Sequence, residues 1–213
     1  MSALPLILIG AGGHARVLLD ALELAGAKIL GLLDADASRA ERELMGYRVL
    51  GDDAVLRQHA PGSVALVNAI GSIDSMQARK QVYEKLRRAG HVFESVIHPR
   101  ATVSRHALAA AGVQVMAGAV VQAGAHVGED TIINTGASVD HDCIVGAHVH
   151  IAPGVTLSGN VRVGDETHVG TGAIVMQGVR IGARCTVGAG AVVLKEVRDG
   201  TRVKGLPARE FSR

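Results

Sequence analysis

Between Ser138 and Gly154 the chain reads SVDHDCIVGAHVHIAPG, a stretch that holds three histidines and two aspartates. His141 stands between Asp140 and Asp142. An imidazole titrates near a pKa of about 6.5, so it can accept a proton at cellular pH. A neighbouring carboxylate can orient the ring and stabilise the cation that forms. His141 is therefore the candidate general base, Asp142 its first partner and Asp140 its second. The plainer alternative is that these residues decorate a regular scaffold, with His141 closing a corner.

A second group lies near the N-terminus. The run GAGGHA follows an apolar stretch and opens a helical one, and Gly10, Gly12 and Ala15 satisfy a dinucleotide fingerprint. Asp34 ends the next strand, where such folds hold a ribose. Taken alone the motif says NAD, but the α/β segment is too short for two full mononucleotide halves.

The elements that must position these groups follow two different patterns. Residues 1–92 read as α/β. LPLILIG, KILGLLD and SVALVNAIG are strands, and HARVLLDALELAG is an amphipathic helix closed by Gly26. SMQARKQVYEKLRRAG, starting at Ser75, is a second helix with a basic last turn. Strands alternating with helices imply a small parallel sheet. Residues 93–213 carry a six-residue period instead. From Ile97 to Val193 every sixth residue is Ile, Val or Leu, except Ala109. Four residues after each stands only Ala, Thr, Val or Cys. An amphipathic helix repeats at 3.6 and cannot produce this, so the segment is a solenoid.

Composition narrows the function. A net charge of +2 points to no nucleic-acid or anionic-membrane surface. Four aromatics and no Trp argue against a base-stacking platform. The apolar N-terminal run has no basic leader and is too short for a signal peptide, so a cytoplasmic setting is expected. No run approaches a membrane span. Cys143 and Cys185 are expected as free thiols in the solenoid core, too far apart to pair.

IGARCTVGAGAVV and its neighbours resemble the hexapeptide-repeat acyltransferases. That resemblance implies a left-handed parallel β-helix, eighteen residues to a triangular coil, following a Rossmann-like domain. On such a coil His141 stacks beneath Gly159, Gln177 and Lys195. VDHDCIVG resembles the catalytic stretch of bacterial nucleotide-aminosugar N-acetyltransferases, and GLPAR resembles their tail. The family implies acetyl-coenzyme A as co-substrate, no metal, and a homotrimer with sites between subunits. By that resemblance His141 is the base and Asp142 its acid. Gly159 faces the thioester, and its backbone N–H is placed to polarise the carbonyl oxygen. His150, half a coil from His141, would reach the reaction only from a neighbouring subunit, or else forms a surface pair with His168. Small residues at Gly159, Gly172, Ala173, Gly178 and Ala189 leave room for the pantetheine arm. Lys195 and a ladder of Arg162, Arg180 and Arg198 are placed for its phosphates, although a solvated ladder is the plainer reading.

The N-terminal domain would hold a nucleotide-linked amino sugar. Gly10, Gly12 and Gly13 would face phosphate or sugar, Asp34 and Asp36 the base or ribose, and the loop from Asn68 to Gly71 would border the pocket. His14 would touch the ligand or brace the turn. The resemblance favours acetylation of the 4-amino group of a nucleotide-linked 4-amino-4,6-dideoxysugar, GDP-perosamine first. Sugar O-acetylation, such as that of sialic acid, is the nearest rival. A zinc hydro-lyase built on His126, His148, His150 and His168 is a further alternative, though no triad aligns for one ion. So is a non-catalytic trimer that binds nucleotide sugars.

Overall fold

The computed structural model describes residues 4–60, 62–72 and 76–210. The N-terminal part is a six-stranded sheet in the order β3-β4-β2-β1-β5-β6. Its strands are β1 (Leu6–Ile9), β2 (Ile29–Leu33), β3 (Glu43–Leu44), β4 (Tyr47–Gly51), β5 (Ala65–Asn68) and β6 (Val92–Phe93). All neighbours are parallel except the β3–β4 hairpin. Both β1 and β5 are buried along their whole length, as strands covered on two faces must be. Alternation assigns the two faces. Leu6 and Leu8 pack with Leu18, Leu19 and Leu22 of α1 (Gly13–Leu24). Ile7 and Ile9 pack with Tyr83 and Leu86 of α2 (Gln77–Arg88).

Three short strands, β3, β4 and β6, were not legible as strands. Because β6 completes the first sheet, the hand-over to the solenoid falls between Phe93 and Val96, just beyond residue 92. Ser75, the expected start of the second helix, lies outside the described residues.

From Val96 the chain winds through two-residue strands that form three parallel sheets, the faces of a prism. The first face begins with β7 (Val96–Ile97), the second with β8 (Thr102–Val103) and the third with β9 (Leu108–Ala109). Each strand pairs with the one eighteen residues on: Gln114 with Ile132, Ser138 with Thr156, Ile144 with Arg162. The large aliphatics of the six-residue period fill the prism, and the small residues of the second column complete its layers. Each fully buried Val, Ile or Leu contributes about 1.5–3 kcal/mol. Thr131 and Thr167 are tolerated in that column because each hydroxyl donates to a carbonyl, of Gly146 and Gly182 respectively. Cys143 and Cys185 are buried free thiols, and burial pushes both thiol pKa values up.

The last coil departs from the period. Ile181 pairs with Val197 and Val187 with Val203, sixteen residues on. Val197 thus takes a large-residue position rather than the small-residue position expected for it. The antiparallel hairpin Arg202–Lys204 and Arg209–Glu210 closes the end, with Ala208 N–H donating to the Val192 carbonyl.

The N-terminal domain sits on the first face. Val96 and Met116 of the solenoid share a core with α1. A buried polar network completes the seam. Arg79 pairs with Asp130 at 2.7 Å, both without solvent exposure, and His148 Nδ1 lies 3.1 Å from the other Asp130 oxygen. At its margin Lys80 meets Glu166 at 2.9 Å.

Candidate active site

His141 lies on the edge between the second and third faces, in the corner after the strand Ser138–Val139. Its backbone N–H donates to Asp140 Oδ1 at 2.6 Å. Its ring Nδ1 lies 2.9 Å from Asp142 Oδ2. A carboxylate only accepts, so Nδ1 carries the proton and Nε2 keeps its lone pair. That hydrogen bond, aided by the charges of Asp140 and Asp142, raises the His141 pKa above the ordinary value. Both side chains are more than half exposed.

Two glycines make this arrangement possible. A Cβ on Gly159, one coil up, would overlap the imidazole, 2.6 Å from Cε1. A Cβ on Gly124, one coil down, would collide with the Asp142 carboxylate. Gly124 was not foreseen, although it stands eighteen residues before Asp142. Asp142 itself has φ +59°, a left-handed corner that aspartate tolerates well.

The remaining solenoid candidates divide between edges. Gly178 follows Gly159 up the His141 edge, its N–H donating to the Gly159 carbonyl. Lys195 stands on that edge where the last coil shortens. Gly172 and Ala189 lie on the edge between the first and second faces. The Ala173 side chain faces the prism core. Arg180 stacks on Arg162 as expected but is held by Glu196 at 2.8 Å. The expected third rung is corrected: the sixteen-residue last coil puts Glu196, not Arg198, beside Arg180. Arg198 reaches Glu210 at 3.7 Å.

The expectation for His150 as a surface residue, or one offered to a neighbouring subunit, also needs correction. It is buried under its own N-terminal domain and meets His168 edge-on at 4.9 Å. Its Nδ1 lies 2.6 Å from Ser72 Oγ and its Nε2 3.0 Å from Asn134 Nδ2. Asn134 Oδ1 accepts from Thr135 N–H, so its amide group donates to Nε2. The His150 proton therefore sits on Nδ1. Burial pushes the His150 pKa down to about 3. Of the other zinc-ligand candidates, His126 lies on the third face and His148 on the edge between the third and first, and among the described residues no group of three or more His, Cys, Asp or Glu is placed to hold a metal ion.

In the N-terminal domain the Gly-rich turn separates two clefts, of about 390 and about 310 Å³. Gly10 has φ +106° and a Cβ there would meet the Ala69–Ile70 backbone at 3.1 Å, so this glycine is required. Gly12 and Gly13 face open space at the α1 N-terminus. Asp34 accepts from Ala11 N–H at 2.8 Å and Asp36 N–H at 2.9 Å, bracing the turn. Asp36 accepts from Ser38 N–H, and the Ser38 side chain, together with that N–H, holds its carboxyl below the usual range. His14 is partly buried, its Nε2 2.7 Å from Gln114 Oε1, and desolvation lowers its pKa to about 4. Asn68 points inward, its amide donating to Asp130 at 3.0 Å, while Gly71 lines the smaller cleft. The sequence reading missed Arg16, Arg39 and Arg42, which line the larger cleft beside Gly12 and Gly13. Their only signal was a cluster of positive charge flanking the Gly-rich turn and the strand after it.

Comparison with known proteins decides the family. Residues 5–86 match the PglD N-terminal domain, and residues 124–159 and 160–195 match the bacterial transferase hexapeptide family (six repeats). The acetyltransferase domain of PglB from Neisseria gonorrhoeae FA1090, solved with acetyl coenzyme A, is 39% identical, with a TM-score of 0.90. That match covers 97% of this chain and 98% of the other. The chain belongs to the hexapeptide-repeat acetyltransferases. An asparagine-for-histidine mutant of perosamine N-acetyltransferase from Caulobacter crescentus, solved with CoA and GDP-perosamine, is 38% identical. Its TM-score is 0.91, covering 100% of this chain and 99% of that one. WeeI from Acinetobacter baumannii AYE, 24% identical with a TM-score of 0.85, shares the fold. The acetyltransferase described here is thus a small Rossmann-like sheet followed by a left-handed parallel β-helix. Among its described residues no helix is long and apolar enough to cross a membrane.

Proposed function

We propose that this acetyltransferase moves the acetyl group of acetyl-coenzyme A to the 4-amino group of a nucleotide-linked 4-amino-4,6-dideoxysugar, with GDP-perosamine the favoured acceptor. The observation that carries the reading is the corner at His141. The ring is braced by Asp142 through Nδ1 and lies under a glycine that leaves the edge open. The 38% identity to a protein solved with CoA and GDP-perosamine supports the choice of substrates.

In the proposed reaction the amine nitrogen attacks the thioester carbonyl and His141 Nε2 takes the proton the nitrogen loses. The Gly159 N–H stabilises the oxygen of the tetrahedral intermediate. Collapse expels the coenzyme A sulfur, which recovers a proton from the imidazolium. No covalent enzyme intermediate is needed, because the thioester is already activated.

The fold supports a site shared between subunits. The N-terminal domain covers the first face and reaches the edge it shares with the third through Arg79–Asp130 and Lys80–Glu166, whereas His141 lies on the edge opposite the first face. A nucleotide held at Gly12 and Gly13, with Arg16, Arg39 and Arg42 near its phosphates, therefore lies across the prism from the base of its own chain. A neighbouring subunit of a trimer brings the two together.

The test is thiol release from acetyl-coenzyme A with purified protein and GDP-perosamine, UDP-4-amino sugars and the corresponding 4-hydroxy sugars. Release with the amino acceptors alone is expected. Release with the hydroxyl acceptors would turn the reading to O-acetylation, and none with any acceptor would refute it.

A further inference from the structure

The segment from Asn68 to Ser72, which leaves the end of β5, is held by groups outside itself at Asn68, Ile70 and Ser72. Arg79 Nη1 donates to the carbonyls of Asn68 at 2.7 Å and Ile70 at 2.8 Å. Its Nη2 donates to Asp130 Oδ1 at 2.7 Å and its Nε to the Asp130 carbonyl at 3.3 Å. Gln114 Nε2 donates to the Asn68 carbonyl at 2.7 Å, and His150 Nδ1 to Ser72 Oγ at 2.6 Å. Asp130, Gln114 and His150 all belong to the solenoid. Ala69, Ile70 and Gly71 of the same loop line the smaller cleft at the Gly-rich turn.

We infer that Arg79 is a positioning residue for the acceptor: it sets the wall of the nucleotide cleft against the solenoid rather than merely joining two domains. A buried guanidinium needs partners for its donors, and here the Ile70 carbonyl of the cleft wall, the Asn68 carbonyl beside it and Asp130 of the solenoid accept four hydrogen bonds from it. Its planar fork spans acceptors that a single ammonium cannot reach together. Asp130 in turn is fixed by Asn68 Nδ2 and His148 and by its left-handed backbone, φ +53°. The wall therefore takes its position from the solenoid. The inference rests on the reading that the nucleotide sugar, its phosphates beside Gly12 and Gly13, reaches across the Gly-rich turn into this smaller cleft, which shares Ala11, Gly12 and Arg39 with the larger one.

The test uses Arg79→Lys, which keeps the charge beside Asp130 and loses the fork. KM for the nucleotide sugar is expected to rise about tenfold, with kcat and the KM for acetyl-coenzyme A within about twofold. Calorimetric affinity for GDP or UDP should weaken in parallel. Should the lysine variant not fold, the paired change Arg79→Met with Asp130→Asn removes the clamp without leaving a lone buried charge, and the same split is expected. Unchanged nucleotide affinity in a folded variant overturns the inference, as does an equal rise in both KM values. Wild-type protein that binds neither nucleotide overturns this inference and the nucleotide reading together, whereas binding by wild type and variant alike overturns this inference alone.

Discussion

His141 and His150 stand nine residues apart, half a coil, yet their surroundings oppose each other. His141 is exposed, held by one carboxylate, and its pKa is raised. His150 is buried, engaged through both ring nitrogens by a serine and an amide, and its pKa falls to about 3. The solenoid turns both side chains away from its core, His141 at a corner and His150 on the first face. The difference comes from the N-terminal domain, which covers one face and leaves the opposite edge open. Covering removes water from His150 and penalises its cation, while His141 keeps water and gains Asp142. A periodic scaffold fixes where a side chain points; what docks on it decides which of its histidines can take up a proton near neutral pH.

The sharpest way to break the comparison is to remove the exposed imidazole. His141→Asn should lower kcat by about 10²- to 10⁴-fold, since a general base contributes that much. The melting temperature and the subunit stoichiometry should stay as in wild type. Thiol-release kinetics and a thermal melt check both, and retained turnover would remove His141 as the base. Next in size is Gly159→Ala. The added methyl must displace the ring, and a displacement of that order lowers turnover by about 10- to 100-fold. Activity equal to wild type would mean that the ring position under Gly159 is not the reactive one.

The regular parts of the molecule were legible from the sequence because they are periodic. The six-residue columns located the solenoid, and the eighteen-residue coil placed His141 beneath Gly159 and Arg162 beneath Arg180. The reading failed where the period failed. Two residues are absent from the last coil, and the extrapolated Arg198 rung disappears with them. It also failed where one module covers another. Neither the burial of His150 nor the inward turn of Asn68 follows from any local pattern, because each depends on a contact between modules: His150 with Ser72, 78 residues away, and Asn68 with Asp130, 62 residues away. The strands β3 and β6 are two residues long, too short for alternation to show. Asp34, placed by the motif at a ribose, is engaged by backbone amides of the turn, a contact that spacing alone does not reveal.

Acid stability separates the two histidine environments next. His14 and His150 have folded-state pKa values of about 4 and about 3, below the unfolded value of about 6.5. In both cases the unfolded chain takes up the proton first. Their neutral forms are compatible with the fold above pH 6.5, and stability then falls with pH until each folded pKa is reached. Each group contributes a slope of about 1.4 kcal/mol per pH unit in that window. Urea titrations across it, comparing wild type with His150→Gln, should show a shallower fall in the variant. Identical slopes would mean that His150 is not held neutral by burial.

The smallest effect is the most specific. Asp142→Asn leaves His141 in place but replaces an accepting carboxylate with a neutral amide. The raised pKa rests first on that hydrogen bond and then on the charges of Asp140 and Asp142. Losing it lowers the pKa, so the acidic limb of the pH–rate profile should move to lower pH while Asp140 keeps part of the effect. Turnover on the plateau should fall at most about tenfold, because orientation of the ring is weakened and the base remains. A gain of relative activity at low pH together with a lower plateau is the expected signature. A lower plateau with an unmoved limb would mean that Asp142 orients the ring without tuning its proton affinity, and the electrostatic contrast with His150 would then owe nothing to that carboxylate.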